Sequence, residues 1–427
     1  MLIMNHEELL KGLESGKMKS YELEKLIWKE IGDWPEANRM AALIRLELLE
    51  RKLGKKFELI RGSYNDNSSV RKGSLTTGIE QKIGGAVTPL GLAGPLKVDG
   101  QYAKGEFFLP IATNEAALIA GLTRGCKAIN RAGGIKTVVT RDAMTRAPLV
   151  SAPDIQKAKD VCEEIRKKGE LYEKMKMAAE AESRVTKLID IQPFQIGRFV
   201  HLRFCFQTGD SMGMNSATKY SANALRVLKE KFHWIKIISL SGNMCTDKKA
   251  AHINTLLGRG KSVETEVEIP LKLVKDVWKV NAEDIVKLNE IKNYQGSGLA
   301  GTVTGFNANV SNTLAGFFVA TGQDCAQIVG SSTCFTRAEI EGGKMVFGIS
   351  LPCLEIATTG GGTDYGTSRE CLEILGCYGP GNPPGSNVRK LAEIMAAAAT
   401  AQDLNLLGAE AHGFELAESH IKLARGK

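Results

Sequence analysis

The chain has 427 residues, of which 43% are hydrophobic and 24% are charged. These values are ordinary for globular proteins, so they exclude a largely disordered chain and allow two or three domains with a buried core. The net charge of +8 is a mild basic excess. It favours an anionic small molecule or nucleic acid as a partner without choosing between them.

The nine cysteines include no CxxC pair. This pattern argues against a zinc ribbon or a disulfide framework and favours reduced thiols in a cytoplasmic protein. The N-terminal segment MLIMNHEELLKGLESGKMKS lacks the apolar core of a signal peptide. No apolar run approaches the roughly 20 residues that a membrane-spanning helix needs. We therefore expect a cytoplasmic protein that binds no metal and contacts no membrane.

Residues 1–79 are predicted to be mostly helical. In DWPEANRMAALIRLELLERKLG, Asp33 is a candidate N-cap, Pro35 falls in the first turn and Gly54 ends the helix. From about residue 80 the chain changes to segments such as IGGAVTPLGLAGPLKVDG, where glycine and proline interrupt short apolar runs. This composition predicts turns and short strands.

Residues 148–239 form a candidate α/β unit of their own. RFVHLRFCFQT alternates like a strand, TGDSMGMN is a glycine-containing turn, a helix is expected from about Asn215 to Lys231, and WIKIISLS is a second strand. Beyond residue 270, helix-like stretches alternate with glycine-rich ones and end in an alanine-rich helix near residues 386–403. The fold class is therefore mixed, α/β or α+β.

The TGDSMGMN turn lies between a strand and a helix, where free backbone N–H groups and a helix N-terminus attract phosphate. It is not the GxGxxG sequence of dinucleotide-binding folds. A tight structural turn is at least as good an interpretation of this segment on its own.

Several further segments carry ionisable side chains among apolar residues. Glu115 in ATNEAAL is best explained as a helix cap, with a buried proton donor as the alternative. Arg146 in DAMTRAP has the geometry to clamp a carboxylate, although a single arginine is usually a surface residue.

The charged triplet in SGNMCTDKKAAHIN is the third segment. A desolvated lysine there would need a carboxylate partner and would stabilise an oxyanion. Asp324 in ATGQDCAQ is the candidate partner, unless it only marks a helix C-terminus that reaches water. His420, near the chain end, is either structural or a proton donor on a tail that closes over a site.

The order of these segments is more specific than any one of them. From about residue 80 to its C-terminus, the chain resembles the 3-hydroxy-3-methylglutaryl-coenzyme A (HMG-CoA) reductase family, through PLGLAGPL, ATNEAAL, TRGCKAI, DAMTRAP, TGDSMGMN, SGNMCTDKKAAHIN, GRGKSV, GSGLAGTVTGFNAN, ATGQDCAQ, TTGGGT and the final SH. It is similar to the NADPH-dependent class I of archaea and eukaryotes, without the membrane anchor of eukaryotic members.

The resemblance implies reduction of the thioester HMG-CoA to mevalonate and CoA, with two hydrides from NADPH, in isoprenoid synthesis. It implies a homodimer or higher oligomer whose active sites lie between subunits. It also implies a large HMG-CoA-binding catalytic domain, residues 80–147 and 240–427, into which a small ferredoxin-like NADP(H)-binding domain, residues 148–239, is inserted. Residues 1–79 would be a helical region that supports the dimer.

By the same resemblance, Glu115 is the acidic proton donor and Lys248 the cation on the reacting oxygen. Asp324 hydrogen-bonds to both, and His420 protonates the departing CoA thiolate. The residues expected around the substrate are Arg146, Ser241, Asn243, Asp247, Lys249, Lys292 and Asn312 for the HMG group, and Glu80 and Arg124 near CoA. The residues expected around NADPH are Asp210, Ser211, Met212, Gly213, Met214, Asn215, Thr359, Gly360, Gly361, Gly362 and Thr363, with Ser183 and Arg184 at the 2′-phosphate.

Several positions depart from the animal members of the family. Gly121 and Thr123 replace polar residues that help to hold CoA, Asn309 stands in place of a histidine, and Ala250 in place of a proline. Gly426 stands where animal enzymes carry a phosphorylatable serine, so we expect that regulation to be absent.

Three other functions compete with this interpretation. An NADH-linked, degradative HMG-CoA reductase is disfavoured by Ser183 and Arg184 and by the TDKKAAHIN segment. A non-catalytic CoA- or nucleotide-binding protein is disfavoured because all four catalytic positions are occupied. A nucleic-acid binder is disfavoured because the basic residues are dispersed, without aromatic residues between them.

Overall fold

The computed structural model describes residues 5–63 and 79–424, which form a mixed α/β structure. Its helices are α1 (His6–Glu14), α2 (Leu23–Ile31), α3 (Trp34–Leu53), α4 (Glu58–Gly62), α5 (Leu118–Arg131), α6 (Ile155–Arg166), α7 (Glu170–Glu180), α8 (Met214–Lys231), α9 (His252–Leu257), α10 (Leu271–Trp278), α11 (Ala282–Leu288), α12 (Ser297–Leu299), α13 (Val310–Ala320), α14 (Ile328–Ser331), α15 (Gly366–Ile374), α16 (Ser386–Ala411) and α17 (Glu415–Ala424). None of the helices in these two ranges is long and apolar enough to cross a membrane.

Ten strands complete the described structure. They are β1 (Leu90–Gly100), β2 (Lys104–Ala112), β3 (Ile135–Arg146), β4 (Leu149–Ser151), β5 (Lys187–Ile196), β6 (Phe199–Gln207), β7 (Lys236–Ser239), β8 (Arg259–Pro270), β9 (Phe335–Glu341) and β10 (Lys344–Leu354). Short 3₁₀ turns occur at Ser20–Glu22, Cys325–Gln327 and Gly361–Asp364, and a π-helical turn at Asn289–Gly296.

The strands form one connected sheet with the order β7-β4-β6-β3-β8-β10-β9. β2 and β3 both pair with β1, the latter in parallel, and β5 pairs with β6. β3 joins the two parts of the sheet, because its first residues pair with β8 and its last three, 144–146, pair with β6. Arg146 therefore stands at the junction of the two parts.

Helix α16 runs through the main hydrophobic core and is buried along most of its length. Its alanines let neighbouring elements approach closely: a Cβ atom on Gly125 of α5 would lie 2.0 Å from the carbonyl oxygen of Ala401. The prediction of an alanine-rich helix near residues 386–403 is confirmed, and the helix continues to Ala411. A second core, from Val150 to Ile235, lies among β4–β6 and α6–α8.

The predicted helix boundaries in the N-terminal region are confirmed. Asp33 is the N-cap of α3 and accepts a hydrogen bond from the Glu36 N–H at 3.1 Å, and Gly54 ends the helix with φ 60°. The prediction of only short strands after residue 80 is wrong, because β1 has 11 residues and β2 has 9. The register shifts between Ala93 and Leu96, so the glycine and proline in between form a bulge instead of ending the strand.

Glu50, near the end of α3, collects several donors from the segment that follows. Its carboxylate accepts a hydrogen bond from the Phe57 N–H at 3.0 Å and pairs with Lys56 at 3.1 Å and with Arg61. The backbone hydrogen bond, together with the two cations, lowers the pKa of Glu50 to about 2. The folded state thus favours the ionised carboxylate more than the unfolded chain does.

We expect this helical region to lose part of its stability at acid pH. Since the folded-state pKa of Glu50 lies below the usual value of about 4.3, its contribution is present above that pH and lost as the pH falls toward 2. Between these two pH values, the thermal midpoint of unfolding should fall more steeply with decreasing pH in wild type than in Glu50→Gln. Circular dichroism measures this midpoint. The exposed Glu14→Gln variant should follow wild type; equal slopes for all three proteins would contradict this role.

Candidate functional site

The largest part of the predicted site surrounds a cavity of about 790 Å³, here called the Lys248 cavity. Its wall includes Arg146, Lys248 and Asp324, residues 211–215 of the TGDSMGMN turn, and residues 359–363 of TTGGGT. The fold therefore brings together segments that are far apart in the chain. The cavity contains both the predicted cation and the predicted cofactor turns.

Lys248 and Asp324 form an ion pair, with 3.0 Å between Nζ and Oδ2. Asp324 is fixed from behind, because its carboxylate also accepts a hydrogen bond from the Ala326 N–H at 3.1 Å at the start of a 3₁₀ turn. In the single chain the Lys248 ammonium group is not buried as expected, since its side chain is 46% exposed. The loop that carries Lys248 lies at the cavity rim, where no other described part of the chain covers it.

The backbone of this loop adopts an unusual conformation. Asn243, Thr246 and Lys248 all have positive φ, at 62°, 52° and 57°. Non-glycine residues in this region cost on the order of 1 kcal/mol or more each and persist only where surrounding contacts enforce them. Such strain is commonest where a side chain must be aimed at a ligand.

Asp247, between two of these residues, supplies such contacts. Its Oδ1 accepts hydrogen bonds from Arg259 Nη2 at 3.0 Å and Gln327 Nε2 at 2.9 Å, and its Oδ2 lies 3.9 Å from Arg146 Nη1. Asp247 was expected to contact the substrate, but one of its oxygens is already occupied within the protein. Lys249 is exposed and donates to the Asp247 carbonyl at 3.3 Å.

Behind Asp247 lies a buried pair that sequence reasoning did not single out. Arg259 and Glu355 are both fully buried, with 2.6 Å between Nη1 and Oε1. Burial raises the pKa of Glu355, although Arg259 and a hydrogen bond from Ser331 oppose the shift. The only sequence signal was the GRGKSV segment, which was noted for the resemblance and not for a role.

Two other residues of the loop were predicted to surround the substrate. Ser241 is half-buried, with its Oγ 3.8 Å from Cys245 Sγ, and Asn243 is exposed. In the described chain neither of them, nor Lys249, lies in the wall of the Lys248 cavity. Their predicted contacts with substrate stay predictions.

The TGDSMGMN turn has the geometry of an anion site. Gly213 is the N-cap of α8 and has φ 90°, and a Cβ atom there would lie 2.3 Å from the Thr208 side chain, so only glycine fits. The first N–H groups of the 18-residue helix have no partners within the helix. Ser211 Oγ lies 3.1 Å from Thr359 Oγ1, which links this turn to TTGGGT.

The TTGGGT segment packs closely against the residues before Asp324. Gly360 and Gly361 have positive φ, and a Cβ atom on Gly322 would lie 2.1 Å from the carbonyl oxygen of Gly362. The exposed glycine backbone therefore lies beside the ion pair. The two glycine-rich turns and the ion pair form one continuous wall.

Asp210 does not belong to that wall, contrary to expectation. Its side chain is buried and accepts hydrogen bonds from the N–H groups of Gly381 at 3.0 Å, Gly385 at 2.7 Å and Val388 at 3.1 Å. The last of these lies in the first turn of α16. A carboxylate in this position satisfies unpaired N–H groups at the helix start, so it is not available to a cofactor.

We expect Asp210→Ala to lower the free energy of unfolding by about 2 kcal/mol or more, because three N–H groups, two of them buried, lose their acceptor. Urea unfolding followed by circular dichroism measures the change. Asp154→Ala is a matched control, since Asp154 caps α6 with one N–H, that of Lys157 at 2.8 Å; about 1 kcal/mol is expected there. Equal losses in the two variants would contradict the bridging role of Asp210.

Ser183 and Arg184 lie in the turn between α7 and β5. Ser183 Oγ accepts hydrogen bonds from the N–H groups of Val185 at 3.3 Å and Thr186 at 2.9 Å, and Arg184 is exposed. A Cβ atom on Gly209 would lie 2.4 Å from the Val185 side chain. This turn therefore packs directly on the TGDSMGMN turn, although neither Ser183 nor Arg184 lies in the wall of the Lys248 cavity.

Four other predicted residues line a second cavity of about 450 Å³, here called the Glu115 cavity: Glu115, Arg124, Lys292 and Asn312. Glu115 Oε1 accepts a hydrogen bond from Asn312 Nδ2 at 3.0 Å. The interpretation of Glu115 as a helix cap is wrong, because α5 begins at Leu118 and has Ala117 as its N-cap. The carboxylate contacts the Asn312 amide on α13 instead of the first turn of α5.

Lys292 and Arg124 line the same cavity and are both paired. Lys292 forms an ion pair with Glu410 of α16. Arg124 donates to Asn405 Oδ1 at 2.6 Å and pairs with Glu415 of α17. The cavity thus contains fixed charges of both signs, and α17 lies at its edge.

Sequence reasoning missed all of the α16 residues in this wall. Gln402 is 5% exposed, and its Oε1 is buried without a hydrogen-bond partner in the described chain. Asn309 Oδ1 is also buried without a hydrogen-bond partner in the described chain. One face of α16 lines the cavity, through Gln402, Asn405 and Glu410 at helical spacing. The alanine-rich composition of the helix obscured this pattern in the sequence.

Three predicted positions remain. His420 lies on α17, but its side chain is outside the described part of the structure, as is Gly426. Glu80 is exposed and precedes the described β1, next to Ile79, which lines the Lys248 cavity. Among the described residues, no group of three or more His, Cys, Asp or Glu is placed to hold a metal ion.

The chain matches a family model described as hydroxymethylglutaryl-coenzyme A reductase over residues 41–425. Over 99% of its length it is 43% identical to the whole 3-hydroxy-3-methylglutaryl-coenzyme A reductase of Pyrococcus abyssi and 40% identical to the whole enzyme of Methanocaldococcus jannaschii. It is 40% identical to the enzyme of Zea mays, over 98% of this chain and 70% of that one.

Its fold is similar to a solved structure of the class II enzyme from Streptococcus pneumoniae bound to NADPH. The TM-score is 0.62 at 22% identity, over 86% of this chain and 96% of that one. This likeness shows the shared fold, and the sequence match shows the family. The chain belongs to the hydroxymethylglutaryl-coenzyme A reductase family.

Proposed function

We propose that the protein reduces HMG-CoA to mevalonate and free CoA with NADPH as reductant. Membership of the family and the names of its relatives support this activity. The observation that carries it is the ion pair between Lys248 and Asp324, 3.0 Å apart in the same cavity as both glycine-rich turns. A cation and an anion-binding turn in one cavity suit the reduction of a carbonyl by a phosphate-bearing cofactor.

The residues of the cavity fit a dinucleotide. The start of α8 at Met214 offers unpaired N–H groups to a pyrophosphate, and glycines 360–362 leave the backbone of the second turn accessible. When bound, NADPH supplies the hydride. Arg184 stands on the turn that packs against Gly209 and would meet a 2′-phosphate there.

Lys248 stabilises the oxygen of the reacting carbonyl. Negative charge grows on that oxygen as the thioester, and later the aldehyde, accepts a hydride, and a fixed ammonium group lowers the free energy of this state more than that of the ground state. Asp324 orients the ammonium group through their ion pair. Its own position is set by the hydrogen bond from Ala326.

Glu115 is proposed as the proton donor for the new alcohol and His420 as the donor for the CoA thiolate. Glu115 and Lys248 line different cavities of one chain. Both groups must reach one substrate, so we propose a homodimer in which the Glu115 cavity of one subunit faces the Lys248 cavity of the other. The exposed ammonium group of Lys248 supports this arrangement, because a partner would cover it.

We also propose the domain arrangement that the resemblance implies. Residues 148–239 would be the inserted ferredoxin-like NADP(H)-binding domain and residues 80–147 and 240–427 the catalytic domain. The separate core from Val150 to Ile235 supports this division, as does the single long strand, β3, that connects the two parts of the sheet.

The purified protein should oxidise two molecules of NADPH for each mevalonate formed from HMG-CoA. NADPH absorbance and chromatographic detection of mevalonate and CoA measure this ratio. The proposal fails if HMG-CoA causes no NADPH oxidation while NADPH still binds. That result would favour a non-catalytic nucleotide-binding protein.

The preference for NADPH over NADH should depend on Arg184. Replacing it by glutamine removes the guanidinium group available to a 2′-phosphate, so the KM for NADPH should rise at least tenfold while the KM for NADH changes little. Arg226→Gln, on the exposed side of α8, is the control and should change neither constant. If both constants shift equally in Arg184→Gln, the cofactor assignment is wrong.

A further inference from the structure

The side chains of Arg259, Gln327 and Asp247 form a closed triangle beneath the Lys248 loop. Arg259 Nη2 donates to Asp247 at 3.0 Å, Gln327 Nε2 donates to Asp247 at 2.9 Å, and Arg259 Nη1 donates to Gln327 Oε1 at 2.9 Å. Arg259 and Gln327 are fully buried. Each member of the triangle thus bonds to the other two.

The triangle is fixed to the rigid part of the fold. Arg259 is the first residue of β8 and pairs at 2.6 Å with Glu355, which follows β10. Glu355 in turn accepts a hydrogen bond from Ser331 at 2.8 Å. Nη1 of Arg259 thus serves Glu355 and Gln327, while Nη2 donates to Asp247 and also lies 2.9 Å from the Met214 sulfur.

Asp247 connects this rigid base to the strained loop. Its two chain neighbours, Thr246 and Lys248, both have positive φ. A loop without glycine at these positions reverts to ordinary backbone angles unless a contact prevents it. The side chain between them makes that contact with a buried strand.

We propose that Arg259 and Gln327 are positioning residues, which hold Asp247 so that the Lys248 ammonium group stays beside Asp324 at the reacting carbonyl. This inference rests on the proposed function and adds to it, since both side chains are fully buried and act through their hydrogen bonds to Asp247. A buried ion pair alone contributes little net stability compared with apolar residues of the same size. Placement of a reactive group is therefore a better explanation of this one.

The described chain contains a matched control for the triangle. Gln192 Oε1 accepts a hydrogen bond from the fully buried Arg203 at 2.9 Å, and its Nε2 donates to Asp190 at 3.3 Å. These bonds match two of the three bonds of the triangle, and none of the three residues lies in the wall of the Lys248 cavity. Gln192→Met and Gln327→Met therefore remove equivalent bonds, only one of which leads to Lys248.

The first test measures the chemical reactivity of the Lys248 amine and does not depend on enzyme activity. Lysines are labelled competitively with an amine-reactive reagent and quantified by mass spectrometry, with the exposed Lys229 as internal reference. In Gln327→Met the loop relaxes and the ion pair with Asp324 opens, so Lys248 should label at least threefold faster than in wild type. Gln192→Met should match wild type. Unchanged labelling in Gln327→Met would overturn the proposal.

The second test is kinetic. Gln327→Met should lower kcat for HMG-CoA about tenfold and leave the KM for NADPH within twofold, since misplacing a catalytic group by a fraction of an ångström has effects of this size. In a Lys248→Ala background the same substitution should change the residual rate less than twofold. A tenfold loss in that background would show that Gln327 acts independently of Lys248. If wild type is inactive on HMG-CoA, the proposed function fails and the labelling experiment still decides this inference.

Discussion

Lys248→Ala should lower kcat for HMG-CoA reduction by about 10²–10³-fold or more, with little change in NADPH affinity. Removing one preorganised donor from a developing oxyanion costs this much in other enzymes, and here the donor carries a full charge. The Lys248 side chain projects from the cavity rim and makes its ion pair with Asp324 alone among the described residues, so its loss leaves no unpaired buried group. The rate should therefore fall without loss of the fold. Steady-state kinetics and NADPH fluorescence titration measure the two quantities.

The neighbouring lysine provides the control. Lys249 is exposed, and among the described residues its ammonium group donates only to the Asp247 carbonyl, at 3.3 Å. Lys249→Ala should act mainly on the KM for HMG-CoA if it binds the free carboxylate of the substrate. A Lys248→Ala protein that is folded, binds NADPH and keeps the wild-type rate would rule out the proposed role of this residue.

Local signals in the sequence were enough to place many elements. The Asp33 N-cap and Gly54 stop defined α3, and a turn followed by a helix defined α8 to within one residue of its start at Met214. These signals work because capping and turn formation depend on side chains within a few residues of the backbone groups they satisfy. The pairing of Lys248 with Asp324 was also predicted, although its exposure was not.

Contacts between distant segments were not predictable in this way. Asp210 lies in a turn that looks like a phosphate site, but its acceptors are satisfied by backbone N–H groups from Gly381 to Val388. Glu115 resembles a helix cap, but its partner is Asn312. In both cases the local sequence is compatible with two roles, and only the packing of another helix selects one. No local pattern marks a backbone donor or an amide that arrives from elsewhere in the chain.

Two inactive variants should restore activity to each other if the active site is shared between subunits. We expect Glu115→Gln and Lys248→Ala each to be inactive as homodimers, because every site lacks one group. In a mixed dimer, one site combines the two damaged cavities, and the other combines the intact Glu115 with the intact Lys248. Co-expression with two different affinity tags and purification on both should give a dimer with about half of the wild-type kcat.

The control pairs two substitutions from the same cavity. Lys248 and Asp324 line one cavity in one chain, 3.0 Å apart, so a mixed dimer of Lys248→Ala and Asp324→Asn has no intact Lys248 cavity and should stay inactive. Recovery in the first mixture and none in the second requires that Glu115 and Lys248 act from different subunits. If neither mixture recovers activity although both dimers form, each chain must bring its own two cavities together, and the α17 side of the Glu115 cavity would then have to move toward Lys248.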